Sequence, residues 1–202
     1  MNSFIQIFLE FEDNTIYKPS KITYKLLQKC PELGNEIILP INMQDDNKSI
    51  PVFIFSQNTN INIQGNFYNV KVTIDGNNIE QVKEILKIIF NLFQEEDNNF
   101  VGIACTFQEI IDNNKIKEFK NKHFINFDTI EEDKIHFSMI REIDVLGKKT
   151  RCLEGYSTTD DEFILHFEFN MKRRDFKIMN FDDIISFFDQ AYKYKEEKKQ
   201  CL

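Results

Sequence analysis

Residues 60–93 read NINIQGNFYNVKVTIDGNNIEQVKEILKIIFNLF, and two hydrophobic periods meet inside this stretch. Residues 60–64 and 66–74 flank Gly65 and read as the two arms of an antiparallel hairpin. From Ile79 the period changes. Ile79, Val82, Ile85, Leu86, Ile89, Leu92 and Phe93 recur at helical spacing and lay one apolar stripe along an amphipathic helix. The Asn77-Asn78 pair ahead of it offers a side-chain oxygen to the unbonded N–H groups of the first turn. Residues 100–107 then return as a strand, so hairpin, helix and strand together imply a sheet with a helix packed on it.

Working outward, Ile5, Ile7, Leu9 and Phe11 alternate with Gln6, Phe8, Glu10 and Glu12, again the period of a strand. Pro19 and Ser20 open a short helical segment with Ile22, Leu26 and Leu27 on one side, ending near Pro31. An apolar run at 36–41, a polar loop at 44–49 and a buried strand at 51–55 complete the first part. The second part repeats the plan. Residues 135–146, 150–156 and 162–171 read as strands, the first two joined around Gly147, and Phe181 opens a helix carrying Ile184, Ile185, Phe188 and Tyr192. Residues 193–199 read as a charged last turn that frays into solvent. The expected fold class is α+β, an antiparallel sheet covered by helices, in two similar strand-hairpin-helix halves. These span residues 1–111 and 112–202, packed as one unit with the polar stretch 112–122 as their junction.

Across the 202 residues, 42% are hydrophobic and 29% charged, which suits a folded domain and excludes a disordered chain. No apolar run approaches the roughly 20 residues that span a bilayer, and the first residues lack the pattern of a secretory signal. A cytoplasmic location follows as the expectation. The four cysteines, Cys30, Cys105, Cys152 and Cys201, form no CxxC and no close pair, which agrees with a reducing compartment. Asp and Glu number 33 against 25 Lys and Arg, a net charge of −8 that repels a phosphate backbone at long range. Acidic clusters such as Glu95-Glu96-Asp97 and Asp182-Asp183 fall where turns and helix starts are expected. Abundant Ile, Asn, Lys and Phe, with two Ala and no Trp, point to AT-rich codons and a low-GC bacterial or phage genome.

Chemistry-bearing residues are sparse. His136 and His166 fall on predicted strands, and a metal or acid–base site would need them on one face with Glu168 or Glu142. Cys152 paired with either histidine would be the arrangement for a thiol nucleophile. HExxH, GxSxG, Walker and GxGxxG patterns are absent, so the reading carries no catalytic residue, no metal and no cofactor. All four arginines, Arg141, Arg151, Arg173 and Arg174, lie in the second half with Lys148, Lys149 and Lys172 close by. Turns at one sheet end would gather Arg151, Lys172, Arg173, Arg174, Lys148 and Lys149 into a patch for a phosphate, an RNA strand or an acidic partner. The plainer alternative is a solvated hairpin with charged tips. Phe187, Phe188 and Tyr192 on the last helix read as an aromatic surplus suited to a protein partner or a homodimer.

Pro31-Glu-Leu-Gly34, Ile37-Ile-Leu-Pro-Ile41 and Ile50-Pro-Val-Phe-Ile-Phe-Ser56 resemble a sporadically distributed family of uncharacterised prokaryotic α+β proteins. The resemblance implies a strand, a helix, a PxLG turn, an IPxxxFS strand, a hairpin and a long helix, followed by a second sheet segment and a C-terminal helix. It brings no catalytic residue or cofactor. The expected function is that of a non-enzymatic protein-binding module, an inhibitor or accessory factor of a prokaryotic defence system in the manner of an anti-CRISPR. The alternative is an RNA- or nucleotide-binding protein that uses the basic patch.

Overall fold

The structure, a computed structural model, describes residues 3–12, 24, 25, 28, 36–38, 53–57, 61–65, 69–111, 136–158, 162–171 and 178–200, with 36–38 and 53–57 given by backbone alone. In chain order they form β1 (Phe4–Phe11), β2 (Glu36–Ile38), β3 (Phe53–Gln57), β4 (Ile61–Gly65), β5 (Asn69–Asp75), helix α1 (Ile79–Gln94), β6 (Phe100–Ile111), β7 (His136–Val145), β8 (Lys148–Thr158), β9 (Phe163–Met171) and helix α2 (Phe181–Gln200). The nine described strands join one sheet in the order β2-β3-β4-β5-β1-β6-β9-β8-β7, with every neighbouring pair antiparallel. Consecutive strands β2 to β5 form one meander and β7 to β9 another. β1 closes the first by pairing with β5, β6 closes the second by pairing with β9, and β1 and β6 meet in the middle with Ile7 opposite Cys105.

Strand alternation decides which side chains enter the core. Ile5, Ile7 and Leu9 on β1, Val70, Val72 and Ile74 on β5, Cys105 and Phe107 on β6, and Leu165, Phe167 and Phe169 on β9 share one face and are buried. Both helices cover that face. The Phe93 ring of α1 lies 5.0 Å from Phe11, and Phe188 of α2 lies 5.8 Å from Phe107. The helices touch through Phe90 and Phe181, 5.7 Å apart, and through a 2.9 Å ion pair between Lys83 and Asp189. The fold is therefore α+β with an antiparallel sheet, as the periods implied. No helix among the described residues is long and apolar enough to cross a membrane.

Element ends follow local chemistry. Asn78 caps α1 by accepting from the Gln81 N–H, as its position ahead of the apolar stripe implied. The helix closes where Asp97 takes a left-handed backbone, φ 57°, and the Asn98 N–H reaches the Phe93 carbonyl at 3.0 Å. Glu95 and Glu96 beside that turn hold Lys25 at 3.0 and 2.6 Å. At the start of α2, Asn180 and Asp183 bond each other's backbone N–H reciprocally, a capping box.

Two expectations about α2 are overturned. Residues 193–199 do not fray: the helix continues to Gln200 and Lys195 is 1% exposed, because it finds a carboxylate beneath it in the sheet. Phe187 and Phe188 are core residues rather than surplus, since α2 lies flat enough on the sheet to bury neighbouring positions of two turns. The expected junction at 112–122 and the loop at 44–49 lie outside the described residues, as does the expected N-terminal helix apart from Tyr24, Lys25 and Gln28, which are helical.

The β7–β8 turn generates a prediction. Leu146 and Gly147 both hold positive φ, 57° and 70°, the conformation of a two-residue hairpin turn that favours Asn-Gly. A left-handed backbone costs a residue with a Cβ about 1–2 kcal/mol, and Asn tolerates it better than Leu. The Leu146 N–H bond to the Gln190 side chain, 3.0 Å, does not depend on the side chain at 146. Leu146→Asn is expected to raise unfolding stability by about 1 kcal/mol in urea, and Gly147→Ala to lower it by a similar amount.

Candidate functional site

Face assignment separates the candidate residues. On β8, alternation puts Lys149 and Arg151 on the face opposite the helices, while Lys148 falls on the helix side of the sheet. Lys149 and Arg151 are exposed. Arg141, on the helix face, is drawn into an ion pair with Glu154 at 3.0 Å. Lys172, Arg173 and Arg174 lie outside the described residues, and β9 ends just before them with Met171 opposite Thr150. Of the expected basic patch, the structure thus brings together Lys149 and Arg151.

Register defines the opposite face row by row. Gln64, Lys71, Phe8, Ala104, Asn170, Arg151 and Glu142 stand side by side across seven strands. The next row runs Asn62, Thr73, Gln6, Thr106, Glu168, Leu153 and Ile140. Gln6 donates to the Thr73 hydroxyl at 2.9 Å, and Asn170 donates to Glu168 at 2.5 Å. Because Gly102 and Ala104 carry little or no side chain, the sheet sinks between Phe8, Glu10, Asn69 and Asn170 into a depression of about 210 Å³. Ile140, on β7, is 59% exposed on the same face.

The histidines also lie there. His166 stands opposite Gly155 and His136 opposite Ser157, in neighbouring rows, with Glu168 two residues along β9. Burial pushes the His166 imidazole below its usual pKa, Glu168 opposes that shift and His136 adds to it. Among the described residues no group of three or more His, Cys, Asp and Glu side chains is placed to hold a metal ion. Cys152 points to the helix face, so the sheet itself separates its thiol from both imidazoles and the Cys–His pairing is ruled out. Burial raises the thiol pKa of Cys105, and raises that of Cys152 to about 12 with help from Glu154. Both are free, buried and un-ionised at neutral pH.

Sequence reasoning missed the polar cluster under α2. Lys195 donates to Glu109 at 2.9 Å, Lys199 bonds the other oxygen of the same carboxylate, and Lys195 also pairs with Glu196. Next to it, Glu154, 1% exposed, accepts from the Tyr194 hydroxyl at 2.6 Å and from the Tyr156 hydroxyl at 3.3 Å, in addition to its contact with Arg141. The Lys195 ammonium further sits 4.5 Å from the centre of the Tyr192 ring. A signal was present. Lys195 continues the buried stripe Ile184, Phe187, Phe188, Ala191 at helical spacing, and Glu109 and Glu154 stand in phase with core positions of their strands. Every oxygen of the two carboxylates is engaged, so the cluster is a clamp between helix and sheet.

No family model matches the chain, and no curated protein matches it.

The clamp sets two expectations. Removing one charge from a buried pair strands the other, at a cost of about 3 kcal/mol, whereas replacing both by apolar groups is often neutral. Glu109→Gln should therefore lower urea stability by about 3 kcal/mol, and Glu109→Leu with Lys195→Met should lie near the wild type, Lys199 swinging out to water. The pH dependence follows from signs. Burial pushes Glu109 up, but the bonds from Lys199 and Lys195 outweigh it and hold the carboxyl below its usual range. A lowered folded pKa stabilises above the unfolded value, about 4.3, and that stability is lost as pH falls through the folded value. Tyr156 and Tyr194 are raised by burial and by Glu154, so their contribution is complete below about pH 10 and lost as pH rises beyond it. Thermal melting across pH should fall off at both ends, and Glu109→Gln should flatten the acid side alone.

Proposed function

We propose that the chain is a non-enzymatic protein-binding module whose partner seats on the sheet face opposite the helices. The observation that carries this reading is the composition of that face. Phe8, Leu153 and the exposed Ile140 stand among Lys71, Lys149, Arg151, Glu10, Asp75, Glu142, Asp144 and Glu168, and the depression over Gly102 and Ala104 has room for a side chain. Apolar groups interspersed with charges of both signs suit a protein surface of similar make-up. The carboxylates there oppose a phosphate backbone, which supports a protein over RNA or a nucleotide as occupant.

The narrower reading, an inhibitor or accessory factor of a prokaryotic defence system, rests on the acidic, AT-rich-codon composition. A cytoplasmic setting is supported by the buried free thiols of Cys105 and Cys152. The strand order also supports a duplicated unit. β1 to α1 and β6 to α2 each pair a first strand with the last strand of the following meander.

The test is capture from a low-GC bacterial lysate by the tagged wild type and by Ala104→Arg, which fills the depression without entering the core. The expected result is a stoichiometric protein that survives high salt and is lost with Ala104→Arg. A captured protein indifferent to Ala104→Arg would overturn the assigned face. Nucleic acid absorbing at 260 nm and released by salt would overturn the protein reading itself.

A further inference from the structure

Gly155 lies well inside β8, between β7 and β9, and nothing about its own backbone asks for a glycine. Its φ lies outside the left-handed region, and a Cβ built there would meet its neighbours at 3.4 to 3.8 Å, ordinary contact distances. A glycine inside a strand leaves the backbone bare and weakens the sheet. Here the gap is covered from the next strand. His166 stands directly opposite on β9, half-buried, and its imidazole Cδ2 lies 3.8 Å from where that Cβ would stand. A ring leaning over a glycine from the opposing strand restores the lost cover. The ring that does so is an imidazole, whose charge changes near neutral pH.

We propose that the His166 ring is a proton-operated cover: neutral, it lies on the Gly155 backbone, and protonated, it turns along β9 toward Glu168 and uncovers that backbone. Two opposed surroundings define the two positions. Over Gly155 the ring is partly out of water, which favours the neutral form and holds the imidazole below its ordinary pKa. Glu168 stands two residues along the same face, about 7 Å away on the strand, and favours the charged form. Asn170 bonds one oxygen of that carboxylate, and an imidazolium N–H would take the other. Among the described residues, the other titratable group acting on the ring is His136, two strands away on β7, whose like charge opposes protonation. The flanking positions on this face are Thr106, Gln108 and Ile110 of β6 and Leu153 and Ser157 of β8, none of them charged. A proton taken up from water therefore trades backbone contact for an ion pair, and it opens a strip of bare strand between Leu153 and Ser157.

Histidine-labelled NMR of the full chain tests the proposal, with each imidazole assigned by its loss in His123→Gln, His136→Gln or His166→Gln. At pH 8 the His166 Hδ2 should show a strong contact to the Gly155 Hα protons. That contact should fade with the midpoint at which the ring titrates, below about pH 6.5. Glu168→Gln should lower the midpoint and keep the ring on Gly155 further into acid. Gly155→Val puts branched atoms where the ring lies, so the midpoint should rise toward the ordinary histidine value. A wild-type ring that stays on Gly155 after protonation, remains neutral until acid unfolding, or titrates with a midpoint at or above the ordinary value would overturn the proposal. So would a midpoint that Glu168→Gln does not lower, or one that Gly155→Val does not raise. Every readout is taken on the free chain, so this proposal and the assigned partner face stand or fall separately.

Discussion

The contact between Lys195 and Glu109 determines how the C-terminal helix lies across the sheet. A 20-residue helix is about 30 Å long. Nine strands at about 4.8 Å make a sheet wider than that, so neither helix spans its face alone. The first turns of α2 spend their large side chains, Ile184, Phe187 and Phe188, on the centre of the sheet. Beyond Ala191 six of the nine helix residues are charged, so apart from Tyr192 and Tyr194 these turns need polar partners in the sheet as a reason to stay on the core. Glu109 supplies one, and Glu154 supplies a second through Tyr194. The clamp extends shelter to β9 and β8, where the Phe169 ring meets Tyr194 edge-on at 5.8 Å. Apolar packing closes one end of the helix layer and ionic pairing the other.

This division explains which parts of the fold were legible in the sequence. Elements held by periodic apolar burial were readable: the stripe from Val82 to Phe93, the alternation of Ile5, Ile7 and Leu9, and the Phe163 to Phe169 face. Turn chemistry was readable at Asn78 and around Gly147, because caps and positive-φ turns depend on one or two local residues. Residues 193–199 were misread because a run of lysine and glutamate says solvent when taken locally. The partner that contradicts it, Glu109, is 86 positions away. Lys195 in phase with the buried stripe was the available hint, and a net-charge reading of the tail hides it.

The candidate sites divide in the same way. Alternation on β8 already placed Lys149 and Arg151 on one face and Lys148 on the other, so part of the basic patch was separable by counting residues. What counting cannot give is which strands adjoin. The central pairing of β1 with β6 joins residues about a hundred positions apart, Ile7 opposite Cys105, and it is this pairing that makes the small side chains of Gly102 and Ala104 the floor of a depression beside Phe8. Likewise the exclusion of a Cys152–histidine pairing depends on the β7-β8-β9 register, since all three residues lie on strands whose own sequences permit it.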